Sequence, residues 1–110
     1  MFSRELKKGS TDLLILTLIE DGPLHGYEIG KRIERGSSGR LSFRIGSLYP
    51  ILCRLEDRGL ISGRWVERAG ERRRRYYRLT AEGRKALARE RSLWFEFVGA
   101  VNQLVGAHHG

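Results

Sequence analysis

The sequence predicts a mainly α fold that carries one two-stranded β-hairpin and ends in a long C-terminal helix. Three observations predict it. Apolar residues recur at helical spacing in stretches that stop at Gly, Ser or Pro, two short strand-forming runs flank one Gly-containing tip, and a heptad of large apolar residues occupies the last quarter of the chain. The 110 residues suit a single folded domain, which excludes an enzyme with separate cofactor and substrate domains. At 40% hydrophobic residues the chain is too apolar for a disordered basic tail. One Cys rules out a disulfide scaffold and suits a reducing compartment. No run approaches the roughly 20 apolar residues that span a bilayer, and Met1 to Asp12 holds no apolar signal-peptide core. The expected location is the cytoplasm, with no membrane partner.

Asp12 to Glu20 is apolar almost all round, which predicts a core helix covered on most faces, with a surface for a second subunit as one use of the excess. Asp21-Gly22-Pro23 should end it through a left-handed Gly and a ladder-breaking Pro. A second helix fits Gly26 to Arg35, with Tyr27, Ile29 and Ile33 inward and Lys31, Arg32 and Arg35 outward, broken by Gly36 to Gly39. A third fits Ser47 to Arg58, because Leu48, Ile51, Leu52 and Leu55 share a face. Pro50 belongs in a first turn, which makes Ser47 the expected N-cap, and Gly59-Leu60 reads as a left-handed C-cap with its apolar contact. Ile61 to Val66 and Arg73 to Leu79 read as strands around Arg68 to Arg72, with Tyr77 and Leu79 on one face. Thr80 caps the last helix, in which Leu87, Trp94 and Val101 repeat every seven residues while Phe97, Val98, Leu104 and Val105 widen the stripe. Met1 to Gly9 and Gly106 to Gly110 read as disordered ends.

Three helices followed by a two-stranded hairpin is the order of a winged helix-turn-helix, whose third helix enters the major groove while the wing follows the backbone or the minor groove. Residues 10–80 form the expected DNA-binding domain and residues 81–106 the expected dimerisation helix. The charge agrees with this division. Of a net +8, residues 61–80 hold seven Lys+Arg against two Asp+Glu, which concentrates the excess on the hairpin.

Asp21-Gly22-Pro23-Leu24-His25-Gly26-Tyr27-Glu28-Ile29, then Gly46-Ser47-Leu48-Tyr49-Pro50 with Leu52, Leu55 and Gly59-Leu60-Ile61, then Arg75-Tyr76-Tyr77-Arg78-Leu79-Thr80 with Gly83 also resemble the PadR family of bacterial transcriptional regulators. The resemblance covers about residues 10 to 105. It implies a homodimeric winged-helix repressor acting on a pseudo-palindromic double-stranded operator, often that of a neighbouring transporter or detoxification operon, and in some members released by a small ligand. The single short C-terminal helix resembles the smaller members, and Arg72 to Arg75 make a fuller basic wing than the family pattern requires.

Each candidate contact has a plainer rival. Ser47 and Tyr49 lie at the third helix's N-terminal turn, where N–H groups and the dipole favour a phosphate; capping and packing are the alternatives. Arg44 flanks that turn and Arg54 lies seven residues beyond Ser47, so either suits a guanine edge or plain solvent. Arg72, Arg73 and Arg74 repel one another unless a polyanion neutralises them, whereas Arg75 alternates onto the face of Tyr77, half buried. Lys31, with Arg32, is a candidate backbone contact. The apolar stripe Leu87, Trp94, Phe97, Val98, Val101, Leu104 and Val105 calls for a symmetric partner, and Trp94 could also stack on a flat apolar or aromatic effector.

Catalytic chemistry is missing from the pattern. His25 and Glu28 have metal-compatible spacing without further ligands and read as local structure at a helix start, Cys53 lies alone inside the third helix, and His108-His109 sit near the terminus. No phosphate loop or nucleophile elbow occurs. The expectation is a non-enzyme without cofactor or metal. A winged-helix adaptor that turns its basic wing to RNA or to a protein stays open beside the DNA-binding reading.

Overall fold

The computed structural model describes residues 10–109. Among these described residues four helices and three strands follow in the order α1 (Thr11–Leu18), β1 (Leu24–His25), α2 (Gly26–Gly36), α3 (Ile45–Asp57), β2 (Ile61–Val66), β3 (Arg74–Leu79) and α4 (Ala81–His109). The architecture is a winged helix with a long C-terminal helix, and its hairpin strands lie within a residue of their expected bounds. The sheet has one strand more than expected. It runs β1-β3-β2, with Leu24 opposite Tyr77 and His25 opposite Tyr76. Two residues show no alternation from which to read a strand, yet this pairing ties the start of α2 to the base of the wing.

One core joins all the elements. Ile15 and Leu16 from α1 with Ile19 just beyond it, Ile29 and Ile33 from α2, and Leu48, Leu52 and Leu55 from α3 meet Ile61, Tyr77 and Leu79 of the sheet and Ala86 and Leu87 of α4. Leu13, Leu14 and Leu18, on the other sides of α1, are partly buried against that cluster, which accounts for a helix apolar all round. The length of α4 exceeds what the core can cover. Its 29 residues span about 43 Å at 1.5 Å per residue, and the molecule measures 58 × 29 × 21 Å. Arg91 holds the helix to the end of α1 through a 2.9 Å ion pair with Glu20, a hydrogen bond that raises the pKa of Arg91 and lowers that of Glu20.

The helix ends bear out some expectations and correct others. Gly59 has φ 76° and lets Leu60 N–H reach Leu55 C=O at 3.1 Å, closing α3 with a Schellman turn. Thr80 Oγ1 accepts from Gly83 N–H at 3.0 Å as the cap of α4. Ser47 is not the cap of α3. That helix begins at Ile45, and Arg44, with extended φ −74° and ψ 149°, is its N-cap residue, its carbonyl accepting from Ser47 and Leu48. Pro50 therefore lies inside the helix, and the carbonyl it leaves without a donor belongs to Gly46, an exposed residue open to solvent. Gly22 does not adopt the left-handed conformation; α1 stops at Leu18, and Gly22 N–H closes a turn on Ile19 C=O at 3.3 Å. Gly106 to His109 continue α4 instead of fraying, with His108 Nδ1 3.0 Å from Leu104 O. Met1 to Gly9 and Gly110 lie outside the described residues.

Candidate nucleic-acid interface

The N-terminal turn of α3 presents Arg44, Ser47 and Tyr49 to solvent, because Leu48 and Leu52 on the opposite face are held in the core. Tyr49, at 50% exposed, is not a packing residue of the core. It lines a cleft of about 640 Å³ together with Tyr27 of α2, Ile45 of α3, Trp65 of β2, Tyr77 of β3 and Arg72, Arg73, Arg74 and Arg75. The fold thus brings the N-terminal turn of α3 and the basic wing, more than twenty residues apart in sequence, to one concavity. Lys31 stands beside it with its ammonium 5.1 Å from the Tyr27 ring centroid.

Within the wing the arginines differ. Arg72 and Arg73 are exposed, and Arg73 stacks 4.6 Å above the Trp65 ring with a looser 3.7 Å pairing to Glu67. Arg74 turns inward, its Nη1 3.2 Å from the His25 ring nitrogens. Arg75 is anchored. Its Nη2 donates at 2.6 Å to Glu56 Oε2, which also accepts from Gly63 N–H at 3.0 Å. Burial works against the Arg75 charge, but the Glu56 carboxylate overcomes it and raises the pKa further. His25 does the local work expected of it, its Nδ1 accepting from Glu28 N–H at 3.2 Å to cap α2.

Two candidates fall elsewhere. Arg54 Nη2 donates at 2.7 Å to Asp12 of α1, with Arg58 3.5 Å from the same carboxylate, so Arg54 is engaged away from the wing cleft. Leu87 is 2% exposed and belongs to the chain's own core, because the first turns of α4 pack on α1. The remaining stripe is open. Trp94, Phe97, Val101, Leu104 and Val105 are exposed and Val98 half-buried, while Trp94 and Phe97 line a groove of about 530 Å³ between α1 and α4 in which Leu13, Leu16 and Leu93 lie beside the charged Asp12, Arg58, Arg89 and Glu90.

Sequence reasoning missed Tyr27, Ile45, Glu56 and Trp65 as parts of the wing cleft or its supports. Trp65 could have been found. Pairing the two strands about Gly70 places it opposite Arg75, the register observed. Glu56 gave no such signal, since a Glu late in a helix reads as a solvated charge. Among the described residues no group of three or more His, Cys, Asp or Glu could hold a metal, and no helix is long and apolar enough to cross a membrane.

An exposed third helix set against a basic β-wing defines a winged-helix protein of the regulator class. A model of the Transcriptional regulator PadR-like family matches residues 15–89, and the chain belongs to that family, whose members are transcriptional regulators and not enzymes. An uncharacterized 37.1 kDa protein of a Streptomyces fradiae transposon is 42% identical over 77% of this chain, which spans only 23% of that relative's length. Among solved structures, a transcriptional regulator from Clostridium thermocellum is 32% identical with a TM-score of 0.85, over 96% of this chain and 99% of its own. Bacillus subtilis PadR, solved in complex with operator DNA, is 28% identical with a TM-score of 0.65, over 71% of this chain and 44% of its own.

Proposed function

We propose that the protein is a dimeric, sequence-specific regulator that binds a pseudo-palindromic double-stranded operator and represses transcription. The observation that carries this reading is the single cleft shared by Tyr49 at the N-terminal turn of α3 and by Arg72, Arg73 and Arg74 of the wing. Residues 10–80 act as the DNA-binding unit. Arg44, Ser47 and Tyr49 meet the major groove, the wing arginines take the adjacent phosphates or minor groove, and Lys31 adds a backbone contact. The operator complex of the Bacillus subtilis relative supports the same class of partner.

Residues 81–106 supply the dimer contact through the open stripe on α4, whose burial against a second copy removes a large apolar face from water. Trp94, exposed at the α1–α4 groove, is where a flat apolar or aromatic effector would stack and release the operator. The setting for this activity is the cytoplasm. Footprinting on the DNA upstream of the protein's own gene tests the reading: two protected half-sites roughly 10 bp or a multiple apart, with affinity falling steeply as salt rises, are expected. Equal affinity for scrambled duplex at physiological salt, or displacement by structured RNA, would overturn it. Quenching of tryptophan emission by planar aromatic compounds, lost in Trp94→Ala, tests the effector site.

A further inference from the structure

We propose that Trp65 is a positioning residue for Arg73, and that Glu56 and Arg75 fix its ring relative to α3. The inference rests on the DNA-binding reading and deepens it. Glu56, near the end of α3, accepts from Gly63 N–H of β2 and from Arg75 of β3, so a single carboxylate clamps both wing strands to the third helix. Arg75 reaches it by crossing directly over Gly63, where any Cβ would collide with the guanidinium. A Gly in mid-strand, otherwise a weakness in a sheet, is what lets this side chain pass.

Trp65 stands opposite Arg75 in the β2–β3 ladder, and its ring lies 5.6 Å from the Arg75 guanidinium and 4.6 Å from that of Arg73. The indole therefore lies within cation–π distance of both an arginine tied to α3 and an arginine near the wing tip. At 50% exposed it contributes little to the core. Its stacking on Arg73 favours one arm direction by about two- to five-fold, the strength of an exposed cation–π contact, whereas the 3.7 Å pairing of Arg73 with exposed Glu67 gives little direction. An arm already aimed loses less rotamer freedom on reaching a phosphate or the minor groove.

A double-mutant cycle on the full-length protein tests this with operator duplex. Trp65→Leu should weaken binding about three-fold, Trp65→Phe should restore most of the loss, and in an Arg73→Ala background Trp65→Leu should cost nothing more. A loss of equal size in that background would mean that Trp65 touches DNA itself, and it overturns the proposal. A measurement on the free protein keeps this separate from the functional reading. The Arg73 side-chain protons should be shifted upfield by the indole and return to ordinary values in Trp65→Leu. Unmoved resonances overturn the stacking whatever the duplex experiments give, while a wild-type protein indifferent to its operator overturns the DNA-binding reading alone.

Discussion

The Nη1 atom of Arg74 lies 3.2 Å from both ring nitrogens of His25, a position that places the guanidinium over the imidazole face. The same ring caps α2 by accepting from Glu28 N–H, pairs in edge geometry with Tyr76 and stacks on Tyr27. Burial lowers the His25 pKa from 6.5, and the charges of Arg74 and Arg68 lower it further against the opposing pull of Glu28. The folded protein therefore binds this proton later than the unfolded chain as pH falls. Stability from the neutral ring is complete above about pH 6.5 and is lost as pH drops below it through the folded-state pKa. Melting curves across that window should show an acid-side fall that His25→Asn lacks, since Asn caps a helix without titrating. An identical fall in both proteins would assign it to the carboxylates.

Gly83 opens α4 against the backbone carbonyl of Leu60, which a Cβ would strike directly, and it would also meet Leu79 Cδ1 at 2.8 Å. Ala is the better helix former by about 1 kcal/mol. Overpacking against an immobile carbonyl costs about 1–3 kcal/mol, at the upper end here because backbone cannot rotate away. Gly83→Ala should lower unfolding free energy in urea by about 1–2 kcal/mol, whereas Gly36→Ala, with open space around it, should stay within about 0.5 kcal/mol.

How far the chain could be read follows from the range of the signals. The helices, the C-cap at Gly59 and the hairpin were legible because each rests on contacts a few residues long. Ser47 was misplaced as a cap because proline's preference for first turns outweighed the chance that the chain spends one exposed carbonyl at Gly46. β1 was invisible, being two residues whose strand character exists only through Tyr76 and Tyr77. The placement of the wing arginines and Tyr49 on the surface of one cleft follows from charge and helix position. The pairing of Arg54 leaves no local sign because its partner, Asp12, lies forty-two residues away, and the heptad at Leu87 does not record where the core ends.

Asp12 holds Arg54 and Arg58 in pairs whose side chains are all at least one-third exposed, so the pairs add at most about 1 kcal/mol. Asp12→Asn should leave the melting point nearly unchanged and, because both guanidiniums lie away from the wing cleft, leave the salt dependence of binding to random duplex unchanged. Arg54→Ala should alter operator affinity less than Tyr49→Ala, for which loss of a groove contact is expected to cost about 1–3 kcal/mol with the fold intact. Fluorescence anisotropy with both variants decides the order. An unfolded Tyr49→Ala would return that residue to the core.

Wing and helix should separate in specificity. Arg73→Ala removes a charge from an exposed arm and should weaken operator and random duplex alike while lowering the slope of log K against log salt by about one. Titrations at several salt concentrations measure both quantities. A loss confined to the operator would make Arg73 a base-reading residue instead.

Phe97 and Leu87 share a predicted stripe, but Phe97 is 62% exposed and Leu87 is sealed inside the core. Their substitutions should therefore fail in different ways. Phe97→Glu places a charge that the monomer tolerates in water and that an apolar interface cannot, since an unpaired buried carboxylate costs several kcal/mol. Sedimentation should show a folded monomer, and operator affinity should fall because two half-sites are then bound separately. Leu87→Ala should instead empty part of the core at a cost of about 2–5 kcal/mol, seen as a lower melting point. A Phe97→Glu protein that stays dimeric would move the interface off the α4 stripe.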